Sequence, residues 1–348
     1  MNDSHDLDSR LRRRLLGVTL ASAATAALAA CGGSSDSSPS PAPVGGTPPS
    51  PAPSPSPAPA PSPAPSPAPA PAPSPSPSPA PAPAPASNKS FKRGIAYDLK
   101  SRADMAALAP GVSWWYGWGA QPNANLPEDT VTPYGMDFVP MLWNDNFNAT
   151  TVTAWLKARP AVKHLLLLNE PNLQGQATMT PATAAALWPR YEKVAADTGV
   201  KLVGPQITYG NLSGYTTPEG WLDAFFAAYR GANGGRDPAI DYIGYHWYDY
   251  GLEDKLNDLK KYGKPFWVTE FANWHVGDGQ AAIDSVLKQK KQMADMVAML
   301  EARADVYRYA WFTGRWDNDI HYSSLLGADG QLTELGQYYI SLPPNKNA

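Results

Sequence analysis

Cysteine is almost absent: Cys31 is the only one in 348 residues, which excludes an intramolecular disulfide and a thiolate-held metal cluster. An excess of one charge is missing too. Lys and Arg number 28 against 31 Asp and Glu, a formal net charge of −3, and no basic stripe stands out, so the electrostatic footprint of a nucleic-acid binder is lacking. The five histidines, His5, His164, His246, His275 and His321, show no paired metal spacing, and no serine sits in a glycine-flanked elbow. Asp317-Asn318-Asp319 begins like a calcium loop but lacks the glycine and glutamate that would complete it. No cofactor and no metal is implied. Aromatics are absent from the first 90 residues, and all 12 Trp, 17 Tyr and 8 Phe fall from Phe91 onward, so only that part has the material for a core.

The residues before Phe91 divide in two. Arg12-Arg13-Arg14 precede an apolar, alanine-rich stretch from Leu15 to Ala30, too short for a comfortable membrane span and suited to the core of a signal peptide. Its end, Leu28-Ala29-Ala30-Cys31, resembles the bacterial lipobox, which implies cleavage before Cys31 and lipidation of that residue. Acyl chains there would hold the protein at a membrane, each buried methylene contributing about 0.8 kcal/mol. From Pro39 to Ala86 the chain is nearly all Pro, Ala and Ser, a composition that favours an extended polyproline spacer with a reach on the order of 150 Å. The expected organisation is a signal peptide with lipobox over 1–30, a disordered linker over 31–87 and one folded domain over 88–348. The expected location is that of an exported lipoprotein, anchored at the cell surface or in the periplasm.

Within the folded part a short apolar run, a loop and an amphipathic segment recur. Eight runs read as strands: Arg93 to Leu99, Val112 to Gly119, Asp137 to Trp143, His164 to Glu170, Lys201 to Thr208, Tyr242 to Tyr248, Pro265 to Phe271 and Val306 to Phe312. Helices fit between them, clearest over Pro181 to Asp197, Pro218 to Tyr229 and Gln280 to Arg303. Two of these begin with a threonine cap and a proline at the first helical position, Thr180-Pro181 and Thr217-Pro218. Gln121 to Pro133 is rich in Pro and Asn and reads as a loop. Strands alternating with helices imply parallel pairing, and eight of them suggest an α/β (β/α)8 TIM barrel, compact and with some helices reduced. An open doubly wound sheet is the alternative, without a glycine-rich phosphate loop to support it.

Glu170 and Glu270 each close one of these runs, the fourth and the seventh. In a closed barrel both reach the carboxyl-terminal mouth, where functional side chains gather. Two carboxyls there can flank a glycosidic bond, one protonated to donate to the leaving oxygen, the other ionised to attack or to activate water. His246 and Tyr248 share a strand face two residues apart with Gly244 small behind them. Both can point into the mouth, Tyr248 towards Glu270.

Leu168-Asn169-Glu170-Pro171-Asn172 together with Thr269-Glu270-Phe271 resembles the clan A glycoside hydrolases. Adding Val203-Gly204-Pro205-Gln206, Tyr245-His246-Trp247-Tyr248 and Tyr309-Ala310-Trp311-Phe312, the chain is similar to glycoside hydrolase family 128 from about Phe91 to Leu342. The resemblance implies an endo-acting, retaining β-1,3-glucanase with Glu170 as acid/base and Glu270 as nucleophile. It also implies a sugar 2-hydroxyl contact at Asn169 and an aromatic sugar floor at Trp311. Trp143, Trp118 and Trp274 could extend that platform, and Gln206 and His246 are candidate substrate contacts. The expected partner is a β-glucan, the expected state a monomer. Another clan A activity, on β-mannan or β-1,4-glucan, and a non-catalytic carbohydrate-binding surface protein are the competing readings.

Overall fold

The computed structural model describes residues 89–277 and 279–345. The leader, Cys31 and the linker lie outside the described residues. Nine parallel strands, β1 Arg93–Ala96, β2 Trp114–Tyr116, β3 Asp137–Phe138, β4 Met141–Leu142, β5 His164–Leu167, β6 Lys201–Ile207, β7 Tyr242–Trp247, β8 Phe266–Phe271 and β9 Val306–Trp311, run in the order β3-β2-β1-β9-β8-β7-β6-β5-β4. Seven of the eight expected strands correspond to one strand each, shorter by one to five residues. The third is divided: β3 pairs with β2 and β4 pairs with β5.

Pro140 sits at the break and has no N–H to donate, so the ladder cannot run continuously through it. The segment still bridges the two ends of the sheet. Val139 N–H donates to Trp115 O at 3.0 Å and Met141 N–H to Gly119 O at 2.9 Å, while Pro140 O accepts from Leu166 N–H at 2.9 Å. A strand interrupted by a proline thus closes the ring, and the sheet is a TIM-like barrel.

Eight α-helices occur among the described residues: α1 Arg102–Leu108, α2 Val131–Tyr134, α3 Ala149–Lys157, α4 Pro181–Thr198, α5 Pro218–Ala232, α6 Leu252–Asp258, α7 Val286–Ala302 and α8 Glu334–Ser341. The Thr180 and Thr217 hydroxyls accept from the N–H groups of Thr183 and Gly220, with the prolines in the first turn as expected. Helix α7 starts six residues later than expected, because Ser285 takes the capping position and accepts from Lys288 N–H. The Gln121–Pro133 loop carries only the start of the four-residue α2.

The amino-terminal end of the barrel is filled by aromatic rings. Trp114 meets Trp267 edge-on at 5.0 Å, and His164 lies 4.9 Å from Trp267 and 5.3 Å from Tyr307. Gly94 makes room: a Cβ there would stand 2.3 Å from the Trp114 ring. The Arg308 guanidinium lies 4.4 Å from the Phe91 ring and bonds Asp137 at 2.6 Å. With this end blocked, the cavity that matters opens at the other.

Candidate active site

Glu170 does not end a strand in the ordinary sense, because β5 stops at Leu167. Leu168 and Glu170 both take left-handed backbone, with φ of 53° and 47°, a conformation costing roughly 1–2 kcal/mol per non-glycine residue. The neighbouring strand holds it: Glu170 N–H donates to Gln206 O at 2.8 Å, and Gln206 N–H to Leu168 O at 3.0 Å. Pro171 follows and ends any continuation of the ladder. Glu270 lies within β8, opposite His246 of β7. The register slips by one residue just before that pair, between Tyr245 and His246. Such an irregularity re-aims side chains, and here both Thr269 and Glu270 face His246, with Thr269 Oγ1 3.0 Å and Glu270 Oε2 3.5 Å from its ring nitrogens.

Glu170, His246 and Glu270 each offer a polar atom within 4.8 Å of the others, and all three are buried, at 1 %, 0 % and 5 % exposure. Glu170 Oε1 lies 2.9 Å from His246 Nδ1. The Glu270 carboxylate receives three donors: the Tyr248 hydroxyl on Oε2, and on Oε1 the Tyr116 hydroxyl at 2.9 Å and the Trp118 indole N–H at 2.8 Å. Burial, reinforced by the negative charge of Glu270, pushes the Tyr116 phenol well above its ordinary pKa, so it remains a donor. These contacts give both carboxylate oxygens hydrogen-bond donors.

Above the two carboxyls lies a groove of about 550 Å³, open to solvent and bounded by Trp118, Trp143, Trp274, Phe312 and Trp316, with Asn169, Gln176 and Tyr248 among its polar walls. Tyr248 and Trp274 rings approach to 3.9 Å, and Phe312 packs within 5.9 Å of Trp118, Tyr248 and Trp274. The lining suits a pyranose polymer, because sugar C–H faces pack on aromatic rings while hydroxyls need hydrogen-bonding partners. Asn169 Nδ2 donates to Gln176 Oε1 at 3.1 Å, and Asn169 Oδ1 has no protein partner among the described residues.

The structure brings most of the expected site together. Glu170, Glu270, Asn169, Tyr248, Trp118, Trp143 and Trp274 all line the groove, and Trp118 also bonds Glu270 directly. Three expectations need correction. Trp311 is fully buried, its indole N–H donating to Ser323 O at 2.8 Å and its ring packed on Phe271 and Tyr339. The two-residue period of the strand turns Trp311 towards α8, and Phe312 turns into the groove instead. Gln206 is also fully buried, its amide spent on Val203 O and Thr269. His246 contacts the Glu170 and Glu270 carboxyls beneath the groove and lies off its lining.

Five residues were missed: Tyr116, Thr269, Gln176, Phe312 and Trp316. Trp114, Tyr116 and Trp118 alternate along the run expected as the second strand, so choosing Trp118 for the mouth could have brought Tyr116 with it. Gln176 lies in the loop after Pro171, where no periodicity marks a residue.

Residues 94–339 match the family of glycosyl hydrolase catalytic cores. Fold and site are those of a glycoside hydrolase. Among solved structures, the chain is 58 % identical to a subgroup II family 128 endo-β-1,3-glucanase from Pseudomonas viridiflava, with a TM-score of 0.73 and coverage of 74 % of this chain and 100 % of that one. The corresponding enzyme from Sorangium cellulosum is 39 % identical, with a TM-score of 0.63 and coverage of 73 % and 99 %. The chain belongs to glycoside hydrolase family 128. Alkali-sensitive linkage protein 1 of Schizosaccharomyces pombe is 27 % identical over 270 residues, 73 % of this chain, and the chain spans 45 % of that protein's length.

Proposed function

We propose that this protein is an endo-acting hydrolase of β-1,3-glucan that works with retention through a glycosyl–Glu270 intermediate. One observation carries the mechanism: one carboxylate oxygen of Glu170 and one of Glu270 lie within 4.8 Å of each other on the wall of an aromatic groove. Retaining glycosidases hold their carboxyls about 5–5.5 Å apart, and inverting ones about 6.5–9.5 Å, to admit a water. In the first step Glu270 attacks the anomeric carbon while Glu170 gives its proton to the leaving oxygen. In the second, Glu170 takes a proton from water as the hydroxyl displaces Glu270. The substrate follows from the two solved relatives above, both endo-β-1,3-glucanases. A subgroup I member from Amycolatopsis mediterranei is seen with laminaritriose.

In this proposal the protein acts as a monomer. The leader reading adds that Cys31 is lipidated and that the Pro/Ala/Ser segment separates the barrel from a membrane. A clickable fatty acid fed to expressing cells should label the wild type and not Cys31→Ser; an unlabelled wild type would rule the anchor out. For catalysis, Glu270→Ala should abolish hydrolysis of laminarin, and azide should restore turnover with inverted stereochemistry. Undiminished activity of that variant would remove Glu270 from the mechanism.

A further inference from the structure

Behind the catalytic pair runs a buried chain of hydrogen bonds whose direction can be read from its far end. Gln206 Nε2 lies 2.7 Å from Val203 O. A backbone carbonyl only accepts, so the amide nitrogen must face it, and turning the amide over would set two acceptors against each other. The Gln206 Oε1 atom therefore faces Thr269, whose hydroxyl donates to it at 2.5 Å. Thr269 has one proton, and it is committed. Towards His246 Nε2, 3.0 Å away, the Thr269 oxygen can only accept, so Nε2 carries the hydrogen. Gly244 secures the arrangement, because a Cβ at that position would stand 1.9 Å from Gln206 Oε1.

The consequence falls on Glu170. With Nε2 protonated, a neutral His246 presents a bare lone pair at Nδ1, 2.9 Å from Glu170 Oε1. That contact is a hydrogen bond only while the Glu170–His246 pair holds a proton between those atoms. Loss of the proton would set a nitrogen lone pair against a carboxylate oxygen between two buried side chains, where such repulsion is strong. The ionisable groups around His246 are Glu170 from the turn after β5, Glu270 from β8 and, through Glu270, the phenols of Tyr116 and Tyr248. Ionised Glu270 acts in the same direction, since its negative charge favours retention of a proton nearby.

We propose that Gln206 and Thr269 are positioning residues that lock His246 as the Nε2–H tautomer and thereby keep Glu170 protonated in the free enzyme. The device rests on the acid/base role proposed above for Glu170. It serves both steps: a proton is held ready for the leaving oxygen, and after its transfer the exposed lone pair makes Glu170 a stronger base towards water. No proton is created or lost across the cycle, since the one given to the leaving group is replaced from the attacking water. Without the Thr269 hydroxyl, His246 is free to adopt the Nδ1–H tautomer, donate to ionised Glu170 and stabilise the form that cannot act as acid.

The test has two independent readouts. In the full-length wild type labelled with ¹⁵N-histidine, the His246 signals, assigned by removing the other histidines one at a time, should show a protonated Nε2 and a bare Nδ1 throughout the range of activity. A protonated Nδ1, with or without a proton on Nε2, would overturn the proposal whatever the substrate proves to be. In kinetics, Thr269→Val should move the alkaline limb of kcat/KM to lower pH by about one unit, a tenfold change in proton affinity, and Thr269→Ser should keep the wild-type limb. An unmoved limb in Thr269→Val would also overturn it. Wild-type protein inactive on every β-1,3-glucan would refute the proposed function while leaving the nitrogen readout to decide the tautomer.

Discussion

Glu270 is held by residues from three parts of the barrel, Tyr116 in β2, Trp118 just beyond it and Tyr248 just beyond β7. In the proposed mechanism a nucleophile gripped in this way is oriented before substrate arrives, which lowers the reorganisation needed in the transition state. Tyr248→Phe keeps the ring on Trp274 and removes only the hydroxyl. A hydrogen bond to a charged group contributes about 1.5–3 kcal/mol, so kcat on laminarin should fall roughly ten- to hundredfold, with KM little changed; steady-state kinetics on the two proteins checks this. At this scale the sequence was informative where chemistry demands a rare residue type. Two carboxyls, an asparagine and a tyrosine stood out. It was weak for aromatics, because a tryptophan serves equally well as core or as sugar platform. The difference between Trp311 and Phe312 is one residue of strand phase, and the exact strand end is what a lone sequence defines least.

The elements were legible where local rules act alone. Threonine caps followed by proline located two helix starts, since the cap hydroxyl and the preset proline φ need no tertiary partner. The turn at Glu170 was not legible. Its left-handed backbone at Leu168 and Glu170 is imposed by hydrogen bonds to Gln206, 36 residues downstream of Glu170, and β-branched or apolar runs give no hint of it. The division of the third strand could have been read from Pro140, whose missing donor is a local fact. Strand β5 also carries a pH response at its first residue. His164 is pressed among Trp267, Tyr242 and Tyr307, and burial, then the charges of Arg308 and Lys201, lower its pKa from 6.5 to about 4. The unfolded chain therefore binds more protons than the fold between these values, so the stability associated with neutral His164 is full above pH 6.5 and is lost as pH falls towards 4. Replacing it with Asn should leave less acid sensitivity: between pH 7 and 4.5 the variant should lose about 1–2 kcal/mol less than wild type, allowing for the partial solvent access of the ring. Urea unfolding at the two pH values measures this, and equal losses in both proteins would show that the ring does not titrate in that range.

At the scale of the whole molecule, parallel pairing and barrel closure followed from the alternation of strand and helix, and the two carboxyls met because the ring closes, although 100 positions separate Glu170 from Glu270. What the alternation could not supply was their distance, which depends on the bent backbone at Glu170, the register slip before Glu270 and His246 held between them. That distance is the basis of the mechanism. The direct test is to hydrolyse a β-1,3-glucan oligosaccharide in the NMR tube and watch which anomer of the new reducing end appears before mutarotation. The short carboxyl separation predicts the β-anomer first, with internal linkages cut early, as sizing of the same products would show. An α-anomer appearing first would mean inversion, and would contradict the covalent role given to Glu270.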